Sequence, residues 1–118
     1  MGMQVSVPGA NPQVVAQAAT EQGLALRMVD NLPAFPDEAV PDEFQEIRLA
    51  GPSGMISVRS GPQGLTLVVW GNAEEALRAA LAKLAGRLAE LSSGTVLAAG
   101  RTWQVAEWLA VGAPLVEA

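Results

Sequence analysis

The chain has no cysteine, no histidine and no tyrosine, and Lys83 is its only lysine. Those absences remove the Ser-His-Asp triad, the cysteine nucleophile, the disulfide, zinc sites built on thiolate or imidazole, haem with an imidazole or thiolate ligand, and iron–sulfur clusters. Missing thiols leave the redox compartment open. No apolar run approaches 18 residues, because Arg78, Lys83 and Arg87 divide the most hydrophobic region, so no membrane-spanning helix is expected. The first twenty residues carry no charged side chain and include the A-x-A-like triplet Ala16-Gln17-Ala18. No base precedes Arg27, however, and Pro8, Gly9, Asn11, Pro12 and Gln13 break the stretch, which is not the pattern of a secretory signal. Gly2 with Ser6 formally matches an N-myristoylation pattern, without the polybasic neighbour that stable anchoring requires. A cytoplasmic location is the expectation.

What is present is a chain of 118 residues, half of them hydrophobic and 16% charged, which suits one folded domain over 1–118. Heavy use of Ala, Gly, Leu and Arg points to a GC-rich coding sequence and a bacterial source. The net charge of −5 is concentrated in one place. Asp30, Asp37, Glu38, Asp42, Glu43 and Glu46 fall in a stretch without a single base, whereas the remaining acids and bases nearly cancel. Six scattered arginines beside such a stretch do not form the cationic surface that phosphate backbones need, so no nucleic-acid partner is expected.

Periodicity outlines the elements. Gln4 to Val7 is β-prone, Asn11 followed by Pro12 opens a helix of about ten to twelve residues, and Gly23 closes it. Leu24 to Asp30 alternates as a strand with Leu24, Leu26 and Met28 on its apolar face. Residues 31–43 contain Pro33, Pro36 and Pro41 and two Pro-Asp-Glu triplets, and read as an extended, mobile acidic loop. From Phe44 a three-strand meander turns at Gly51-Pro52-Ser53-Gly54 and Gly61-Pro62-Gln63-Gly64, with positive φ at Gly54 and Gly64. Pairing Ala50 with Met55 and Ser60 with Leu65 across four-residue loops keeps Ile47, Leu49, Ile56, Val58, Leu65, Leu67 and Val69 on one face. On the other face that register sets Glu46 opposite Arg59, Arg48 opposite Ser57, Thr66 beside Arg59, and Met55 opposite Trp70 near Val68.

Asn72-Ala73-Glu74-Glu75 resembles a capping box, and Leu77, Leu81, Leu84, Leu88 and Leu91 form the stripe of the strongest helix, stopped by Ser92, Ser93 and Gly94. Two heptads favour packing on the sheet over a coiled coil. A strand at 95–99 and a short helix capped by Thr102 complete the chain, with at least one of Trp103 and Trp108 covering the Met55, Val68 and Trp70 corner. The fold class is therefore α+β. It is a two-layer domain with a mainly antiparallel five-stranded sheet in β-α-β-β-β-β-α order, helices on one face and a small C-terminal α or β-α unit. This order is similar to that of helix-grip domains and, with the first strand set aside, of the small acidic dimeric chaperones of type III secretion. The likeness is one of element order and carries no function with it.

Carboxylates are the only groups left for acid–base or metal chemistry. Asp37, Glu38, Asp42 and Glu43 are the metal candidates, but their spacing does not match a calcium loop and no glycine turn organises them, so neither a cofactor nor catalysis is expected. A non-enzymatic protein-interaction or homodimerisation module is the leading reading. Met55, Val68, Trp70, Trp103 and Trp108, together with the acidic loop, are its candidate contact residues. The alternative is a binder of small apolar ligands in a cavity between the sheet and the 73–91 helix, against which the many alanines of that helix argue.

Overall fold

A computed structural model describes residues 3–35, 38–52, 54–70, 75–98 and 100–110. The capping box at Asn72, Asp37 and the myristoylation site at Gly2 lie outside the described residues. The elements run β1 (Met3–Pro8), α1 (Val15–Glu21), β2 (Ala25–Val29), β3 (Leu32–Pro33), β4 (Glu46–Gly51), β5 (Gly54–Gly61), β6 (Gly64–Val69), α2 (Glu75–Leu91), β7 (Thr95–Ala98), β8 (Arg101–Gln104) and α3 (Val105–Ala110). The chain is α+β. Its sheet has eight antiparallel strands rather than five, in the order β3-β2-β4-β5-β6-β1-β7-β8.

The extra strands come from tight hairpins. Asp30 and Asn31 both take positive φ, the conformation that a two-residue hairpin loop needs and that Asp and Asn tolerate best, so the chain reverses at once and Leu32–Pro33 pairs with β2. The 31–43 segment is thus not wholly a loop, and its continuation is tied down. Phe44 is buried, Ala34 and Val40 pack against the core, and the Asp30 carboxylate accepts hydrogen bonds from the backbone N–H groups of Gln45 (2.8 Å) and Glu46 (2.9 Å). At the C-terminus Gly100 has a φ of 74° and turns β7 into β8, which places Thr102 in a strand and not at a helix cap.

The meander follows the register expected from its hydrophobic pattern. Ala50 faces Met55, Leu49 faces Ile56, Ile47 faces Val58 and Ser60 faces Leu65, while the ladders continue one pair further, to Gly51 with Gly54 and Gly61 with Gly64, so the loops are shorter than four residues. β2 departs from simple alternation. A bulge at Arg27 sets Met28 opposite Arg48 and Val29 opposite Ile47, so Met28 leaves the apolar face that Leu26 occupies.

The helix before β2 begins as a 3₁₀ turn over Pro12–Val14, with the Asn11 side chain accepting from the Gln13 N–H (3.0 Å). α2 lies across β1, β5, β6 and β7. Its Leu77, Leu81, Leu84 and Leu88 are buried against Val5, Val7, Ile56, Leu65 and Leu67, and each fully buried leucine contributes about 1.5–3 kcal/mol. This layer is closely filled, with no exposure at Leu81, Leu84, Leu88 or Ile56. α1 and α3 flank α2 on the same side. No helix among the described residues is long and apolar enough to cross a membrane.

Two glycines set how closely these parts approach. A Cβ on Gly64, whose φ is 139°, would meet the Val7 carbonyl oxygen, the Gly9 nitrogen at 2.8 Å and the Pro8 Cα at 2.9 Å, all backbone of β1 or its exit. A Cβ on Gly86 would stand 2.7 Å from Leu109 Cδ2 and 3.0 Å from Trp108 Cδ1. The bare Gly86 therefore forms the notch in α2 into which α3 docks. Gly64→Ala is expected to lose about 3 kcal/mol in urea unfolding, through the positive φ and the backbone approach. Gly86→Ala should lose about 1–2 kcal/mol although alanine favours a helix by about 0.5–1 kcal/mol. A Gly86→Ala protein more stable than the wild type would contradict the docking of α3 on α2.

Candidate functional site

The three helices among the described residues lie on one side of the sheet, and none of them covers the opposite face. Its central part is built by the meander, whose alternation projects Glu46 and Arg48 from β4, Met55, Ser57 and Arg59 from β5, and Thr66 and Val68 from β6, with Trp70 just beyond the end of β6. Met55 is 45% and Trp70 59% exposed, so two large apolar side chains stand in solvent at one end of this face. Between the strands Val68 is only 5% and Ser57 2% exposed, although neither belongs to the core beneath α2.

Arg59 organises the corner. Its Nε donates to Glu46 Oε2 at 3.2 Å across the strands, and its guanidinium stands 5.6 Å from the centroid of the Trp70 ring. The ion pair is half-exposed and contributes about 0.2–1 kcal/mol, and an exposed cation–π contact contributes about 0.5–1 kcal/mol. These are small energies, but together they restrict the orientation of the one exposed tryptophan. Arg48 stands beside them opposite Ser57. Further along the face the Ser6 and Thr66 hydroxyls lie 3.4 Å apart at a shallow depression of about 270 Å³ that Leu97 also lines. The face is broad, partly apolar and partly cationic, with its nearest carboxylate already engaged by Arg59.

The other tryptophans are elsewhere. Trp103 on β8 and Trp108 on α3 join the core on the helix side, edge to face with centroids 5.8 Å apart. Trp108 Nε1 donates to the Ala82 carbonyl of α2 at 2.8 Å, and the Arg101 guanidinium lies 3.8 Å from the Trp103 centroid while bonding Glu107 at 2.9 Å. They do not cover Met55, Val68 and Trp70. The inward side of β8 is shared with Val96, and the bare Gly86 draws Trp108 onto α2, so both rings are spent on holding the C-terminal unit.

The acidic candidates are dispersed in role. Glu38 turns back to accept from the Phe35 N–H at 3.1 Å, Asp42 and Glu43 are exposed, and Asp37 lies outside the described residues. No group of three or more acidic side chains placed to hold a metal ion occurs among the described residues. Comparison of the chain with protein families, curated proteins and solved structures finds no match.

A charged cluster on the helix side had no signal in the sequence. Arg87 of α2 grips both oxygens of Glu21 at the end of α1, at 2.7 and 3.0 Å, and bonds Glu90 at 2.7 Å, while Gln17 donates to Glu21 at 3.1 Å. Arg87 and Glu21 are 66 positions apart, beyond any local pattern. Hydrogen bonds from Arg87 and then Gln17 hold the Glu21 carboxyl down at about 2, against an ordinary value of 4.5. A depressed carboxylate stabilises the fold above its unfolded value and loses that contribution as pH falls through the folded one. The melting temperature of the wild type should therefore exceed that of Glu21→Gln by a constant amount above about pH 4.5, and the gap should close towards pH 2. A gap unchanged across that window would show that Glu21 is not held by Arg87 in solution.

Proposed function

We propose that the protein is a non-enzymatic interaction domain that self-associates, and engages a partner protein, through the uncovered face of its sheet. The observation that supports this reading most is the Met55–Val68–Trp70 corner, where two large apolar side chains are exposed beside a buried one and Arg59 pre-orients the indole. Exposed aromatic and methionine side chains ringed by arginine are the composition of interface centres. An aromatic already restricted before contact gives up less freedom on binding than a mobile one. The polar surround of Glu46, Arg48, Ser57 and Thr66 suits the rim of such a surface and keeps the face hydrated when it is free. Trp103 and Trp108 contribute indirectly, by fixing the C-terminal hairpin that extends the same sheet.

The test separates folding from association. Met55→Ala should melt within about 2 °C of the wild type and Trp70→Ala within about 5 °C, because exposed side chains add little to the core beyond the Arg59 contact. In sedimentation equilibrium, each should weaken a wild-type dimer about tenfold or more, the loss typical of a central anchor. A wild type that remains monomeric at the highest soluble concentration, or a dimer indifferent to both substitutions, would overturn the reading.

A further inference from the structure

The layer between α2 and the sheet opens at one end. Where the first hairpin of the meander meets the start of α2 and the end of α1, a cleft of about 290 Å³ is walled by Leu24, Ile56, Leu77 and Ala80, with Glu21 and Lys83 at its mouth. A second cleft of about 250 Å³ lies on the far side of Leu24, between α1 and the returning segment at Val40, and reaches Leu26. Leu24 is thus a partition between the apolar cleft and a more polar hollow beside Thr20 and Glu38. Its Cδ2 sits 2.7 Å from the place a Cβ on Gly51 would occupy, and Leu77 Cδ2 sits 3.0 Å from that of Gly54. A side chain at either glycine would therefore press on the leucines that wall the cleft.

The charges at the mouth are not equivalent. Both Glu21 oxygens are taken by Arg87, whereas Lys83 takes part in none of the ion pairs among the described residues. A ligand that enters the apolar cleft would cover part of Lys83, and an ammonium losing water gains from a negative group at the ligand's end. We propose that this cleft binds an aliphatic carboxylate, with the chain between Leu24, Leu77 and Ala80 and the carboxylate at Lys83. The volume suits a chain of roughly six to ten carbons, near the lower limit of small-molecule pockets. This site lies on the helix side, so it stands or falls separately from the docking face.

The probes are sodium octanoate and 1-octanol, added to the full ¹⁵N-labelled chain and followed by amide chemical shifts. Saturable shifts are expected at Leu24, Gly51, Gly54, Leu77 and Lys83 with both, and octanoate should bind about fivefold tighter, the scale of a half-exposed ion pair. Lys83→Gln, at an exposed position, should equalise the two affinities. Ala80→Phe, which fills the cleft, should abolish both sets of shifts. The proposal is overturned if neither probe saturates by about 10 mM, beyond the millimolar range of weak specific binding. It also fails if the shifts centre on Trp70 and Met55, if they persist in a folded Ala80→Phe protein, or if the wild type binds octanol as tightly as octanoate.

Discussion

The rest of the structure depends on one pairing, that of β1 with β6. The first strand of the chain enters the middle of the sheet, antiparallel to β6 along its whole length and paired with β7 through Ser6 and Leu97. It joins the meander on one side to the C-terminal hairpin on the other. Without it the sheet would fall into a five-stranded and a two-stranded piece, and α2, which packs across both and over β1 between them, would lose its middle support. The pairing is possible because Gly64 has no side chain where β6 starts beside the end of β1, and Gly9 then bonds the Gln63 carbonyl to close the corner. α2 lies over this seam, and its leucines cross from β6 over β1 to β7. Non-local closure of this kind, between residues about sixty apart, also implies slower folding than a sequential meander alone would show.

One-sidedness follows from that arrangement. The helices among the described residues are drawn to the face of Val5, Val7, Leu65 and Leu67, and their apolar side chains are largely used there. Among the described residues no helix packs on the other face, which presents the side chains of its own strands. It does so unevenly: Val68 and Ser57 are shielded, Arg59 is divided between Glu46 and Trp70, and Met55 and Trp70 stay in water. The three tryptophans mark the division. Two close the C-terminal unit onto α2, and one is left on the open face. The edges are guarded differently, by a strand of only two residues at β3 and by Arg101 at the start of β8, which limits uncontrolled strand addition and leaves the face itself as the available surface.

The meander was legible because its two glycine-proline turns and strict alternation allow one register that keeps charge out of the core, and the pairs from Glu46 with Arg59 to Ser60 with Leu65 follow it. The buried leucine stripe of α2 was legible for the same reason, a clean period. What was hidden rested on single residues acting over distance or against propensity. Asp30 and Asn31 look like the start of an acidic loop, yet they make a hairpin, and Asp30 bonds backbone fifteen residues later. Met28 fits the apolar face of β2 until one bulged residue turns it over. Gly86 was the available cue to the docking of α3, an isolated glycine within a leucine pattern, and its meaning depends on Trp108, which no local spacing connects to it. Of the contact candidates, burial separates Met55 and Trp70 from Trp103 and Trp108, a distinction that hydrophobicity alone does not make.

The central claim is that the uncovered face is built to be covered, and the three indole N–H groups report on it directly. Their ¹H–¹⁵N signals, recorded with a soluble gadolinium relaxation agent over a concentration series, distinguish one exposed ring from two buried ones. The account predicts that the Trp70 signal is broadened in dilute solution and becomes protected as the protein is concentrated, while those of Trp103 and Trp108 stay sharp throughout. A Trp70 signal equally broadened at every concentration, with monomeric diffusion, would contradict it.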